Sequence, residues 1–337
     1  MTEQSVPNHL VDLFGREVTY VRMSITDRCD FRCVYCMDEE MTFMPREKLL
    51  TLEEIVFVLQ AFCELGVEKV RITGGEPLIR RNVDWLFEQV GQLKQTSALK
   101  ELNITTNGSQ LPKYAKSLAK AGLDRINISL DSLNAERFRE LTRTGDLKTV
   151  LAGIQAAKEA GFKRIKLNAV IMKGRNDDEI VDLAQFAIDN DLDISYIEEM
   201  PLGQVTHQRD ESYCSSDEVL AILRNKFELT SSDDKTGGPS HYYRVTGSQS
   251  KIGFISPHSH NFCESCNRVR VTTEGRLLLC LGQEHSVDLR QIIRQYPDDI
   301  ERLKQAIIDS MAIKPKGHDF NLKEHPIIFR HMSVTGG

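Results

Sequence analysis

Thr26-Asp-Arg-Cys29-Asp-Phe-Arg-Cys33-Val-Tyr-Cys36 places three thiols within eight residues, directly after an apolar run that reads as a strand. Thiolate sulfur is a soft ligand suited to iron-sulfur clusters, Zn and Cu(I), so a close triplet in a chain with no secretory features points to metal before disulfide. The number of thiols matters. A 4Fe-4S cube has four irons and ordinarily takes four cysteines, so three leave one iron with an exchangeable position, as catalytic metal sites do. A zinc knot is the plain alternative, although zinc loops commonly pair two cysteines with two ligands farther on.

The strand before this loop opens a repeat. From Val18 to about Met200 apolar strands alternate with capped helices, which predicts a parallel sheet built of βα units. The strands are expected at Val18 to Ser24, Lys69 to Thr73, Glu101 to Thr105, Arg125 to Ser129, Arg164 to Val170 and Asp193 to Ile197. Thr51-Leu-Glu-Glu54 reads as a capping box, Gly66, Gly122 and Gly161 as helix ends, and Asn176 with Glu179 as the start of the sixth helix. Along each strand the side chains alternate between faces. Val21 and Met23 oppose Tyr20, Arg22 and Ser24; Val70 and Ile72 oppose Arg71 and Thr73; Leu102 and Ile104 oppose Asn103 and Thr105. Ile126 and Ile128 against Asn127 and Ser129, then Ile165, Leu167 and Ala169 against Lys166 and Asn168, continue the series.

Ordinary eight-stranded barrels pack their interior with branched apolar residues. A polar inner face on six strands therefore predicts an incomplete (βα)6 TIM-type barrel, open along one side, with its site at the C-terminal strand ends. A sheet with one solvated face fits less well, since parallel sheets are normally covered on both faces. The repeat stops at Pro201-Leu-Gly203, so a barrel over 1–202 and a small α+β region over 203–337 are expected. That region should hold a helix near Ser216 to Lys226, a loop from Ser231 to Ser240, and strands at His241 to Val245, Lys251 to Ile255, Arg268 to Thr272 and Arg276 to Cys280. Two helices, near Val287 to Gln295 and Asp299 to Ile313, precede an extended tail.

Composition narrows the class of function. Of 337 residues, 27% are charged and 40% hydrophobic, ordinary for a soluble globular chain, and no stretch approaches the ~18 apolar residues of a membrane span. Met1-Thr-Glu-Gln-Ser-Val-Pro lacks the basic and apolar regions of a signal peptide, so a cytoplasmic protein is expected. A net charge of −6 argues against nucleic-acid binding, and an anionic ligand must find a local basic cluster. Of the eight cysteines, Cys63 reads as a core residue and Cys214 as a loop thiol. Nothing distinguishes a monomer from a homodimer.

The strand ends carry further motifs. Gly74-Gly75-Glu76-Pro77 follows the second strand, and paired glycines let a ligand approach the backbone, though a simple turn would use them too. Thr105-Thr106-Asn107-Gly108 and Ser129-Leu-Asp131-Ser132 offer hydrogen bonds to a carboxylate, ribose or phosphate. Cys263-x2-Cys266-x13-Cys280 is a second triplet, and with His258 or His260 it could equally form a Cys3His zinc shell. Arg22, Arg71 and Lys166 share the predicted lumen, and Arg268 and Arg270 follow the second triplet. Five cations facing one cavity would suit a triphosphate, for which arginine supplies a planar fork; singly, each could be a surface ion pair.

Cys29-x3-Cys33-x2-Cys36 with Tyr35 before the last thiol resembles the signature of radical S-adenosylmethionine (SAM) enzymes, in which the glycine-rich segment meets the methionine end of the cofactor. Phe262-Cys-x-x-Cys266-Asn-Arg-Val-Arg270 through Leu279-Cys280-Leu resembles the C-terminal cluster motif of the GTP 3′,8-cyclase family, the molybdenum cofactor biosynthesis protein A family. The resemblance runs from Gly15-Arg16 to Gly336-Gly337. It implies two 4Fe-4S clusters, one on Cys29, Cys33 and Cys36 that cleaves SAM and one on Cys263, Cys266 and Cys280 that meets the substrate. It further implies SAM contacts from Tyr35, Gly75, Ser129 and Met200, and GTP contacts from Arg22, Arg71, Thr105, Lys166, Arg268, Val269 and Arg270, with Arg268 and Arg270 in the catalytic set. The implied reaction makes (8S)-3′,8-cyclo-7,8-dihydroguanosine 5′-triphosphate, which passes to a cyclic pyranopterin monophosphate synthase; the electron donor is not specified. The terminal Gly-Gly is implied to be a strand end that inserts toward the site. Family members often carry arginine where this chain has Ser195. Radical enzymes that modify peptides, and non-catalytic zinc or iron-sulfur modules, are the competing readings.

Overall fold

The structure, a computed structural model, describes residues 9–234, 237–322 and 328–336. Six parallel strands form its centre: β1 (Tyr20–Ser24), β2 (Lys69–Thr73), β3 (Glu101–Thr106), β4 (Arg125–Ser129), β5 (Ile165–Ile171) and β6 (Asp193–Glu198). Between them run α1 (Leu52–Glu64), α2 (Val83–Thr96), α3 (Leu111–Lys120), α4 (Ala135–Thr142), α5 (Leu147–Glu159) and α6 (Ile180–Asp189).

Helix α1 shows why these segments fold as they do. The Glu54 amide donates to Thr51 Oγ1 (3.1 Å) and the Thr51 amide to Glu54 Oε2 (2.7 Å), which satisfies two otherwise orphaned donors. Ile55, Val58, Leu59, Phe62 and Cys63 recur at helical spacing and are buried against the sheet. Each such side chain contributes roughly 1.5–3 kcal/mol of burial. They belong to one buried cluster with the apolar strand set, Val21, Met23, Val70, Ile72, Leu102, Ile104, Ile126, Ile128 and Leu167, all fully buried. The polar set faces the other way, into the barrel.

The C-terminal residues do not build a separate sheet. Strands β7 (Leu229–Ser232), β8 (His241–Val245), β9 (Lys251–Ile255), β10 (Arg268–Val271), β11 (Arg276–Leu278) and β12 (Ser286–Asp288) extend the same one, in the order β12-β11-β10-β1-β2-β3-β4-β5-β6-β9-β8-β7. β10 lies parallel to β1 and β9 parallel to β6, so both edges of the six-stranded core are covered. The fold is an incomplete (βα)6 barrel whose open side is flanked by residues beyond 202.

Three expectations are corrected. Ser231 and Ser232 belong to β7 rather than to a loop, and β12 was not foreseen. Asn176 and Glu179 do mark the start of the sixth helix: Asn176 precedes a 3-10 turn, Asp177–Glu179, that runs directly into it, although neither side chain makes a capping hydrogen bond. Asn176 bonds Asp131 O and Val170 O, while Glu179 accepts from the Ser132 hydroxyl and the Leu133 amide, so both tie β5 and α6 to the end of β4. Cys214 is buried. The tail ends in a helical turn, Met332–Thr335, closed by Gly336 at a φ of 77°, where glycine is favoured. The turn is inserted: Arg270 donates to the Thr335 and Gly336 carbonyls, and a Cβ on Gly336 would overlap Thr73 Oγ1. Gly337 lies outside the described residues.

Candidate functional site

The cysteine loop after β1 is held by its neighbours. The Gly75 amide donates to Thr26 O (2.7 Å) and the Glu76 amide to Arg28 O (2.8 Å). A Cβ on Gly75 would strike Arg28 O, so glycine here lets two backbones meet as well as leaving room for a ligand. Asp30 accepts from Asn107 Nδ2 (2.6 Å) and Ser109 Oγ (2.6 Å), and the Arg32 and Val34 amides reach Thr142 O and Leu141 O at 2.9 Å. Glu76 closes the arrangement by accepting from Leu78 N, Thr106 Oγ1 and Asn107 N at 2.7–2.9 Å. Burial raises its carboxyl to about 8 against those bonds.

Cys29, Cys33 and Cys36 line one cavity with Tyr35, Gly75, Ser129 and Met200. The donor set fits a cluster: three soft sulfurs share one wall, and Cys29 Sγ already accepts from the Phe31 amide (3.3 Å), as a thiolate ligand would. The Tyr35 hydroxyl donates to Asp131 Oδ2 (2.7 Å), and Asp131 Oδ1 accepts from the Val170 amide (2.9 Å). Burial raises Asp131 to about 6 despite those two bonds. Without metal, burial and neighbouring anions push all three thiols up, Cys36 to about 12. The charged lining residues of this cavity are Asp131, Glu198 and Glu199. Glu199 is offset from behind by Arg209 (3.1 Å), and Glu198 accepts from the Ser216 and His258 amides (2.9 Å each).

Cys263, Cys266 and Cys280 line a second cavity together with Arg22, Arg71, Lys166, Arg268, Val269 and Arg270. Register explains the convergence: Arg22 pairs laterally with Arg71 on β2 and with Arg270 on β10, which sets three guanidinium stems in one row. Lys69 and Arg125 bring the cations to seven, and no described residue on this wall is Asp or Glu. Lys69 and Arg125 pair off the wall, with Glu101 (2.5 Å) and Asp193 (3.2 Å). Arg71 donates to Tyr20 Oη (2.6 Å), Ile104 O (3.1 Å) and Thr105 Oγ1 (3.4 Å). Burial lowers Arg22 to about 10, with Arg71 and Arg268 adding to the shift and Tyr20 opposing it; Arg270 and Lys166 are lowered too, foremost by burial.

The second triplet also fits a cluster by its donors. Lys314 Nζ approaches Cys266 Sγ (3.8 Å), and burial, which would raise this thiol, is outweighed by Arg268 and Lys314, so it sits below the ordinary thiol range. The histidines considered for a zinc shell are engaged elsewhere. His258 Nε2 bonds Glu199 O (3.0 Å) and His260 Nε2 pairs with Asp217 (2.9 Å). His318 is the described histidine on this cavity wall, its ring 4.3 Å from that of Phe320.

Asn168, Ile197, Met200 and Met332 belong to both walls, so the two cavities adjoin. Thr105 lies on the first cavity, joined to the second only through Arg71. Ser195 accepts from Lys166 Nζ (3.0 Å) and bonds Ser240 Oγ (2.9 Å); it positions a cation where an arginine would have been one. Lys69 and Arg125 escaped the sequence reading although strand parity marks them, since Lys69-Arg71-Thr73 and Arg125-Asn127-Ser129 each share a face. Lys314 and Met332, far away in the chain, carried no such mark.

Residues 23–187 match the radical SAM superfamily and residues 192–320 the family described as Molybdenum Cofactor Synthesis C. A GTP 3′,8-cyclase of Saccharophagus degradans is 59% identical over 97% of this chain and 98% of its own length. One from Pseudomonas putida is 57% identical over 97% and 98%, and GTP 3′,8-cyclase 2 of Pseudomonas aeruginosa 55% over 98% and 99%. Among solved structures, Streptococcus suis SuiB superposes with a TM-score of 0.61 at 16% identity, over 95% of this chain and 78% of that one, a likeness of fold.

Proposed function

This chain belongs to the GTP 3′,8-cyclase family of radical SAM enzymes, and from that membership we infer that it converts GTP to (8S)-3′,8-cyclo-7,8-dihydroguanosine 5′-triphosphate in molybdenum cofactor biosynthesis. The observation that supports the reading is the sorting of charge between two adjoining cavities, carboxylates beside one thiol triplet and cations beside the other. SAM carries a sulfonium and GTP a polyanion, so each ligand has a wall of opposite sign.

In this reading Cys29, Cys33 and Cys36 hold one 4Fe-4S cluster, and Tyr35, Gly75, Ser129 and Met200 border SAM. Cys263, Cys266 and Cys280 hold a second. Bound and reduced, the first cluster would supply the electron that cleaves SAM to methionine and a 5′-deoxyadenosyl radical; that radical would take the ribose 3′ hydrogen of GTP, C3′ would bond to guanine C8, and a second electron from the external reductant with a proton from solvent would complete the dihydro product. The chain's own residues supply position. Arg22, Arg71, Lys166, Arg268 and Arg270 bind the triphosphate, Val269 packs beside it, and Thr105 orients Arg71. Met200 and Met332, shared by both walls, exclude water from the junction. The product would pass to a cyclic pyranopterin monophosphate synthase. Among the described residues no helix is long and apolar enough to cross a membrane.

Anaerobic reconstitution followed by metal analysis and 5′-deoxyadenosine assay tests the reading. About eight irons per chain and GTP-dependent release after dithionite are expected. About four irons with one zinc, and release indifferent to GTP, would overturn both the second cluster and the substrate.

A further inference from the structure

The cation-lined cavity contains one acidic side chain besides its thiols among the described residues, and it is Tyr20. Tyr20 opens β1 and is buried, flanked in register by Lys69 on β2 and Arg268 on β10. Its hydroxyl oxygen accepts from Arg71 Nε at 2.6 Å, and the Lys69 ammonium stands 5.4 Å from its ring centre. The charged groups facing it are therefore Lys69 and Arg71 from β2, Arg268 and Arg270 from β10, and Arg22 two residues along its own strand. Glu101 on β3 is turned to Lys69.

Buried like charges are costly, and a side chain that becomes anionic among them lowers that cost. We propose that Tyr20 is a substrate-binding residue that acts as a placeholder anion: its phenolate offsets the arginine row in the nucleotide-free enzyme, and it takes up a proton when a triphosphate occupies that row. Burial alone would raise the phenol, but Arg71, Arg22, Arg268 and Lys69 outweigh it and bring it to about 7. At neutral pH both forms are therefore populated. An incoming polyanion cancels the cations' pull, the phenol returns toward its ordinary range near 10, and the proton comes from solvent. No electron moves and no covalent bond between heavy atoms changes. The proposal rests on reading this cavity as the GTP site.

Linkage gives the sign. Above pH ~7 the free enzyme carries the phenolate and must gain a proton on binding, so GTP affinity falls by up to about tenfold per pH unit as pH rises. The test is titration calorimetry of the anaerobic holoenzyme with GTP at about pH 8, in HEPES and in Tris, whose ionisation enthalpies differ; free GTP is fully ionised there and adds no proton of its own. The wild-type chain should take up roughly 0.5–1 proton per GTP, and Tyr20→Phe, which keeps the ring, close to none. Absorbance of the phenolate near 295 nm should also fall when GTP is added to wild type at about pH 8 and stay constant at about pH 6, a readout that needs no variant. Uptake that persists in Tyr20→Phe, placing the proton on Lys166 or Tyr242 instead, would overturn the proposal. So would GTP binding without uptake, leaving the cyclase reading intact; failure of GTP to bind at all would overturn both.

Discussion

The two thiol triplets carry the same donors in opposite surroundings. Around Cys29, Cys33 and Cys36 the charged wall residues are carboxylates, and every thiol is raised, foremost by burial; around Cys263, Cys266 and Cys280 they are arginines and lysines, and Cys266 is lowered while burial still raises Cys280. Ligand chemistry follows from that contrast more than from the sulfurs. On the proposed function a cluster on either triplet would keep one position open, and the surrounding field would decide which molecule fills it.

The largest expected effect divides the triplets. Cys33→Ser should reduce 5′-deoxyadenosine release to background, whereas Cys263→Ser should retain release and lose conversion of GTP, both read by chromatography of the same anaerobic reaction. Equal loss of release in the two variants would erase the distinction. Next is Arg268→Met, which removes the guanidinium that lies over the Phe262 ring (5.1 Å) on the cation-lined wall and leaves an unbranched, uncharged side chain. One charge-assisted contact amounts to ~1.5–3 kcal/mol, so the KM for GTP should rise roughly 10- to 100-fold while SAM affinity is unchanged. Asp131→Asn probes the opposite wall with a smaller effect. It removes a charge but keeps an acceptor for Val170, and SAM affinity should fall by about 10-fold or less with GTP affinity constant. If Asp131→Asn weakened GTP binding instead, the sorting by charge would fail.

The smallest effect serves as the baseline. Thr51→Ala breaks the capping box of α1, outside both cavities. It should cost ~1 kcal/mol, a melting shift of about 1–2 °C seen by circular dichroism, with both ligand affinities unchanged.

Most of the barrel was legible because each strand announces its two faces within five to seven residues. Tyr20, Arg22, Arg71 and Lys166 were assigned to the lumen by parity with Val21, Val70 and Leu167, and parity depends only on local backbone geometry. The distribution of charge between two cavities was not legible, since it depends on height along neighbouring strands. Thr105 shares a face with Asn103 but stands one step nearer the strand end, which puts it on the first cavity. β7 (Leu-Thr-Ser-Ser) and β12 (Ser-Val-Asp) are too short and polar to alternate; only their partners make them strands. The turn at Met332–Thr335 is likewise set by Arg270, some sixty residues earlier in the chain.

The covering of β1 by β10 and of β6 by β9 also sets an order of events during synthesis. A ribosome delivers β1 to β6 before either cap exists, and until residues 251–255 and 268–271 emerge the nascent sheet has two open parallel edges able to pair with other chains. Completion depends on contacts nearly 250 residues apart along β1 and β10, which slows it. A fragment ending at 202 would therefore keep most of the apolar core and still aggregate through its edges, so the chain becomes safe for the cell only when its C-terminal third has folded back.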